Sequence, residues 1–175
     1  YEIDLLHLSN IIKNKMKARG SNPPLHYGDD MKEEFIWSQK YRPKSVAETI
    51  LPDDIKKTFQ KFVDDKSIPN LLLSGKAGIG KTTIAKAMLD EIGATYMVVN
   101  GSMNGNIDNL RTDIMKFASS VALNGSGRKY VILDEADAIP SKTQFALRNF
   151  MEEYSSNCGF ILTCNFKDKI IQALH

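Results

Sequence analysis

The octapeptide Gly75-Lys76-Ala77-Gly78-Ile79-Gly80-Lys81-Thr82 constrains this chain more than any other stretch. It satisfies G-x-x-x-x-G-K-[ST], follows an apolar run at Leu71–Ser74 and opens a helical pattern, which is the strand–loop–helix context the motif requires. Glycines let the backbone curl until successive N–H groups face phosphate oxygens, and the helix N-terminus adds positive potential. In that geometry Lys81 reaches the β- and γ-phosphates and the Thr82 hydroxyl ligates Mg²⁺. A phosphate cradle of this kind implies a strand before it, a helix after it and a sheet to hold both.

The rest of the chain supplies that sheet. Further strands are expected at Thr95–Val99, Tyr130–Asp134 and Gly159–Thr163, and helices at about 81–91, 107–123 and 142–154. In the second helix Ile107, Leu110, Ile114, Phe117, Ala118 and Val121 recur at offsets of three, four and seven, which makes one buried face. Ser141-x-x-Gln144 and Ser45-x-x-Glu48 fit the capping box and mark helix starts. Short apolar strands alternating with helices predict an α/β fold, a parallel sheet with helices on both faces.

Tyr130-Val131-Ile132-Leu133-Asp134-Glu135 supplies a second half of chemistry. An apolar strand ending in two acids, about fifty residues after the glycine loop, places Asp134 beside it, where it can hold Mg²⁺ through water. Glu135 is then set to polarise an attacking water as general base. Hydrolysis of ATP or GTP is the reaction these residues predict.

Composition narrows the partners. The balance of 23 basic against 21 acidic residues, a net +2, gives no bulk attraction to a polyanion, so any nucleic-acid contact must come from local placement. No apolar run approaches the roughly 18 residues that span a bilayer, so no membrane partner is expected. Cys158 and Cys164, six residues apart on one strand, would lie roughly 20 Å from each other, too far for a disulfide. They read as reduced thiols in a cytoplasmic protein, and no signal-peptide pattern opens the chain. Residues 1–30 read as an N-terminal extension or linker. Ile3, Leu5, Leu6, Leu8, Ile11 and Ile12 lie at helical spacing, and Gly20-Ser21-Asn22-Pro23-Pro24 breaks the pattern. Residues 31–175 read as the catalytic core, and both ends read as cut.

Taken in order, the motifs match a family. Trp37-Ser38-Gln39-Lys40-Tyr41-Arg42-Pro43 resembles the signature that precedes the first domain of sliding-clamp-loader ATPases of the AAA+ superfamily. Ile68–Gly75, Asp134-Glu135-Ala136-Asp137, Gln144-x-x-Leu147-Arg148-x-x-Met151-Glu152 and Thr163-Cys164-Asn165-Phe166 fit the same pattern. The resemblance is strongest to the large ATPase subunit of tailed-phage clamp loaders, and the chain is similar to replication factor C small subunits. It implies a P-loop AAA+ three-layer sandwich that loads a sliding clamp onto primer–template DNA in replication. ATP binding would open and place the clamp, and hydrolysis would release it.

The resemblance also assigns residues. Ser38, Gln39, Lys40 and Tyr41, with Ile50, would line the adenine pocket. Gly75 and the run Gly78, Ile79, Gly80, Lys81, Thr82 and Thr83 would wrap the phosphates, with Thr82 and Asp134 at Mg²⁺. Asn165 would be the sensor that orients water toward the γ-phosphate. Asn100 would hold Glu135 inactive until DNA arrives. Gln144 would couple the catalytic strand to neighbouring subunits, unless it serves the capping box with Ser141. Ser102, Asn104 and Arg111 would face DNA phosphates, contacts that position a duplex without reading bases. The implied partners are the clamp, primer–template DNA and the other loader subunits (further copies plus one different small subunit), in the host cytoplasm if the chain is phage-encoded.

Lys76-Ala77 stands where the family usually has two prolines, and the chain stops where the family next presents Ser-Arg-Cys, whose Arg acts on the neighbour's ATP. The lid and collar domains are missing too. Loss of such an arginine finger costs about 10³–10⁵ in rate, so residues 1–175 alone are expected to be nearly inactive. The alternatives are a P-loop helicase or another AAA+ DNA-remodelling ATPase, and a scaffold that binds ATP without cleaving it. The sequence Asp134-Glu135-Ala136-Asp137 spells a helicase box, but helicases of that class place Ser-Ala-Thr where this chain has Thr163-Cys164-Asn165.

Overall fold

The structure, a computed structural model, describes residues 2–4, 42–102, 107–120 and 128–175. Five strands form one wholly parallel sheet: β1 (Glu2–Asp4), β2 (Leu71–Ser74), β3 (Tyr96–Asn100), β4 (Lys129–Asp134) and β5 (Cys158–Cys164), in the spatial order β1-β2-β5-β4-β3. Among the described residues four α-helices accompany them: α1 (Asp53–Asp64), α2 (Lys81–Glu91), α3 (Ile107–Ser119) and α4 (Ser141–Glu153).

Side-chain alternation divides the interior into two layers. Leu71, Leu73, Tyr130, Ile132 and Ile161 point to one face and pack with Phe59 and Val63 of α1 and Ile84, Ala85, Met88 and Leu89 of α2. Leu72, Val131, Leu133, Phe160 and Leu162 point to the other and meet Ile114 and Ala118 of α3 and Leu147 and Phe150 of α4. Every residue of β2 and β5 is buried, which is why these strands read as continuous apolar runs and not as alternating ones. The α/β expectation, with helices on both faces, holds. Because α2 and α4 cover opposite faces, the crevice beyond the carboxyl ends of β2, β5 and β4 is the place where this topology binds ligands.

Element boundaries fall within a residue of expectation for β2 to β5, α2 and the starts of α3 and α4. Four points differ. Helix α1 was not anticipated, because Phe59 and Val63 are its only fully buried positions and charged residues surround them. Residues 2–4, expected at helical spacing within an extension, form an edge strand instead, with Ile3 opposite Leu73 and packed on the first layer. The rest of residues 1–30 lies outside the described residues. Neither capping box forms. Residues 46–48 make a turn, not a helix, in which the Glu48 carboxylate accepts the Lys44 N–H. Helix α4 is capped from Pro140, and Gln144 turns away from Ser141 into the interior.

One polar side chain stabilises the second layer at the end of α3. The Lys129 ammonium, only 3% exposed, donates to the Phe117 carbonyl at 2.8 Å and to the Ser120 hydroxyl and carbonyl. It thus satisfies the orphan carbonyls at the end of α3. Cys158 and Cys164 are both buried and not joined in a disulfide, and burial raises the Cys158 thiol to about 11.

Two outcomes follow for the chain in solution. A Cβ at Gly159 would sit 2.5 Å from the Tyr130 ring, so Gly159→Ala should lower stability by about 1–3 kcal/mol, read as a lower denaturation midpoint. With a thiol pKa of about 11, Cys158 is almost wholly protonated at pH 8, so a thiol reagent should label it only as fast as the chain opens.

Candidate active site

The loop between β2 and α2 turns on left-handed glycines. Gly78 (φ 79°) and Gly80 (φ 94°) take backbone conformations that side chains disfavour, and no atom lies within 4 Å of where a Cβ would stand at either. Gly80 is the N-cap residue of α2 and makes no side-chain cap, so the first N–H groups of the helix face the loop. Ile79 turns inward and anchors the loop in the first layer.

Lys81 lies under this loop, 8% exposed. Its ammonium donates to the carbonyls of Gly75 (2.8 Å) and Lys76 (2.9 Å) and to Asn165 Oδ1 (2.9 Å). All three of its donors are therefore used within the protein. Burial pulls its pKa down, and the nearby Cys164, Asp134, Asp137 and Glu135 oppose that shift. The site is thus a desolvated cation ringed by negative groups.

Asp134, the last residue of β4, ties three elements together. Its Oδ1 accepts the Thr82 hydroxyl at 2.6 Å and the Thr163 hydroxyl at 2.5 Å. Thr163 in turn accepts the Glu135 N–H at 3.2 Å, so its hydroxyl bridges the ends of β4 and β5. Glu135 follows with φ 55° and ψ 46°, a left-handed conformation for a residue with a side chain. Such a conformation costs of order 1–3 kcal/mol and is retained where the surroundings hold it. No hydrogen bond or ion pair of the Glu135 carboxylate occurs among the described residues.

These groups line one cleft of about 420 Å³, bounded by Arg42, Ala77, Gly78, Gly80, Lys81, Thr82, Thr83, Lys86, Asp134, Glu135, Thr163, Cys164 and Asn165. The structure therefore brings together Gly78, Gly80, Lys81, Thr82, Thr83, Asp134, Glu135 and Asn165. Gly75 adjoins it through its N–H to the Cys164 carbonyl. Ile50 is half-buried and does not line the cleft. Ser38, Gln39, Lys40, Tyr41 and Asn104 lie outside the described residues, as does the side chain of Arg111.

Asn100 and Gln144 are placed differently from each other. Asn100 Oδ1 accepts both the N–H and the hydroxyl of Ser102, at 2.8 and 2.6 Å, which closes a local turn; it makes no bond to Glu135. Gln144 is 1% exposed and fully engaged. Its Nε2 donates to the carbonyls of Ile139 (2.8 Å) and Lys169 (3.0 Å), and its Oε1 accepts the Ile171 N–H (2.8 Å). It joins the segment after the Asp134-Glu135 strand to the segment after Asn165.

Of the cleft residues to which the sequence assigned no role, three carry a hydroxyl or a charge. Thr163 carried a signal, since it is a hydroxyl within an otherwise apolar buried strand. Lys86 lies one helical turn beyond Thr82 and shares its face. Arg42 adjoins the Gln39–Tyr41 run but has no spacing rule of its own.

The donor set is hard oxygen, a hydroxyl and a carboxylate, which suits Mg²⁺ completed by phosphate and water oxygens. No group of three or more His, Cys, Asp or Glu that could hold a metal unaided occurs among the described residues. No helix among them is long and apolar enough to cross a membrane.

Residues 71–175 match the family described as "ATPase family associated with various cellular activities (AAA)". The replication factor C small subunit of Sulfolobus acidocaldarius is 40% identical over 149 residues, covering 82% of this chain and 46% of that protein. That of Methanococcus maripaludis is 41% identical over 140 residues, covering 77% and 44%. The chain thus spans about half the length of the curated relatives it matches. Among solved structures, the Holliday junction branch migration motor RuvB of Thermotoga maritima superposes with a TM-score of 0.62 at 18% identity, over 77% of this chain and 45% of that one. At that identity the likeness is one of fold.

Replacing Gln144 with Ala would take the partner from one buried carbonyl, one part-buried carbonyl and one N–H. A loss of about 2–4 kcal/mol is expected, measured by denaturant unfolding. Gln144→Glu should be no better, because an acceptor would then face both carbonyls.

Proposed function

The chain belongs to the AAA family of ATPases, and on that premise we propose that it is the ATPase portion of a sliding-clamp-loader subunit. The cluster of Lys81, Thr82, Asp134 and Asn165 in one cleft carries the reading, and about 40% identity to replication factor C small subunits supports it. The order of the motifs favours the large subunit of tailed-phage loaders within that group. Residues 31–175 would be the ATPase core.

The site residues have distinct tasks. The N–H groups of Gly78 to Thr83 hold the phosphate chain at the head of α2. Lys81 exchanges a carbonyl partner for a phosphate oxygen, which its three bonds to flexible or carbonyl acceptors make feasible. Thr82 and Asp134 would hold Mg²⁺, which when bound neutralises phosphate charge. Glu135, projecting into the cleft without a partner among the described residues, takes a proton from the attacking water. Asn165 orients that water from the opposite side. Ser38, Gln39, Lys40, Tyr41 and Ile50 would contact adenine. Asn100 would restrain Glu135 by exchanging its bonds to Ser102, and Gln144 would carry the state of the site to neighbouring subunits. Ser102, Asn104 and Arg111 would meet the phosphates of primer–template DNA. ATP binding would assemble the subunits around an opened clamp, and DNA-triggered hydrolysis would release it.

Turnover by the full-length protein with clamp and primer–template DNA tests this. Glu135→Gln should retain ATP and lower kcat by about 10²-fold or more, whereas Lys81→Ala should lose nucleotide binding. Residues 1–175 alone should turn over negligibly. Turnover of Glu135→Gln at the unmodified rate would overturn the assignment of Glu135, and strand separation without any response to a clamp would replace the loader with a helicase.

A further inference from the structure

We propose that Asp137, which none of the roles above uses, is a positioning residue that holds Asn165 at the phosphate end of the cleft. The inference rests on the hydrolytic reading of the site and names a further part of it.

Asp137 lies in the 3-10 turn Ala136–Ala138 that follows Glu135. Its Oδ2 accepts the backbone N–H of Asn165 at 3.3 Å and that of Phe166 at 3.2 Å. Its Oδ1 is buried and has no hydrogen-bond partner among the described residues, so those amides alone orient the carboxylate. Beyond them, Asn165 Oδ1 accepts the Lys81 ammonium at 2.9 Å. A continuous path thus runs from the residue pair after Glu135, through the backbone of Asn165, to the lysine under the loop.

The path matters because Asn165 lies just past the end of β5, where ladder pairing has stopped. The pairing of β5 ends at Ser74 with Cys164 on one side and at Leu133 with Leu162 on the other. Among the described residues, the bond to Asp137 is what fixes the Asn165 N–H beyond the strand. With it, the side chain is presented from a backbone tied to the same turn that carries Glu135. The two groups on either side of the reacting water therefore share one frame, and orientation to within fractions of an ångström is what such catalysis requires. Asp137 is also one of the charges that favours the protonated form of Lys81.

The competing account is that Asp137 merely caps the 3-10 turn Lys167–Lys169. A double-mutant cycle with Asn165 separates the two. In the full-length protein with clamp and primer–template DNA, Asp137→Ala and Asn165→Ala should each lower kcat by about 10- to 100-fold, with the Kd for ATP changed less than threefold. The double variant should lose no more than the worse single one. Asp137→Asn, whose carbonyl still accepts both amides, should stay within about threefold of the unmodified kcat, and Asp137→Leu, similar in size but unable to accept either amide, carries the cycle if the alanine variant does not fold. Losses that multiply, an unchanged kcat, or a Kd that rises in step would overturn the proposal.

A second readout needs no turnover. In the chain without nucleotide, amide exchange at Asn165 and Phe166 should speed up at least tenfold in Asp137→Ala while Leu162 in β5 stays protected. Unaltered exchange at both amides would also overturn it. If the unmodified protein hydrolyses no ATP, the hydrolytic reading fails, while the exchange result still reports whether Asp137 holds Asn165.

Discussion

The site depends on the carboxylate of Asp134. One of its oxygens accepts hydroxyls from two directions, Thr82 at the head of α2 and Thr163 near the end of β5. Those bonds fix the glycine loop to the sheet, because Thr82 cannot move without drawing Asp134 and Thr163 with it. Hydrogen bonds to a charged acceptor in a half-buried setting are worth roughly 1.5–3 kcal/mol each, and a partly satisfied network would cost as much as a satisfied one contributes. The arrangement therefore tolerates little variation in its members.

Around that junction, three polar side chains hold backbone. Lys129 closes the end of α3, Gln144 joins the segments after β4 and β5, and Asp137 gathers the amides of Asn165 and Phe166. Each satisfies backbone groups that would otherwise lack a protein partner. Gln144 and Asp137 tie the segment that carries Glu135 to the segment that carries Asn165, which follow different strands. The left-handed backbone of Glu135 fits this picture, since only an over-determined neighbourhood holds a strained residue in place.

How much of this is legible without coordinates differs by residue. The glycine loop is a local feature: its conformation needs Gly78 and Gly80, and the neighbouring Lys81 and Thr82 follow from the helix that must begin there. The strands β2, β4 and β5 were legible because strands buried on both faces are apolar throughout, and the two acids closing β4 stood out against that run. Helix α1 was not, because its stripe rests on few apolar positions. The capping-box pattern at Ser141 misled for a related reason: Gln144 has better partners from the interior than Ser141 can offer, and tertiary bonds outweighed the local one.

The sequence by itself determined the α/β class, the phosphate-binding loop and the pair of acids at the end of β4, because all three rest on residues adjacent in the chain. Only the tertiary structure decided that Thr163 bridges Asp134 and Glu135, that Asp137 holds Asn165, that Gln144 spans two segments, and that Ile3 joins the sheet edge. These contacts cross 25 to 70 residues of chain, from the 25 that separate Gln144 and Lys169 to the pairing of Ile3 with Leu73. No local propensity encodes such a pairing. It forms because a parallel sheet sets the carboxyl ends of distant strands side by side, where polar side chains leaving the ladder can reach only one another.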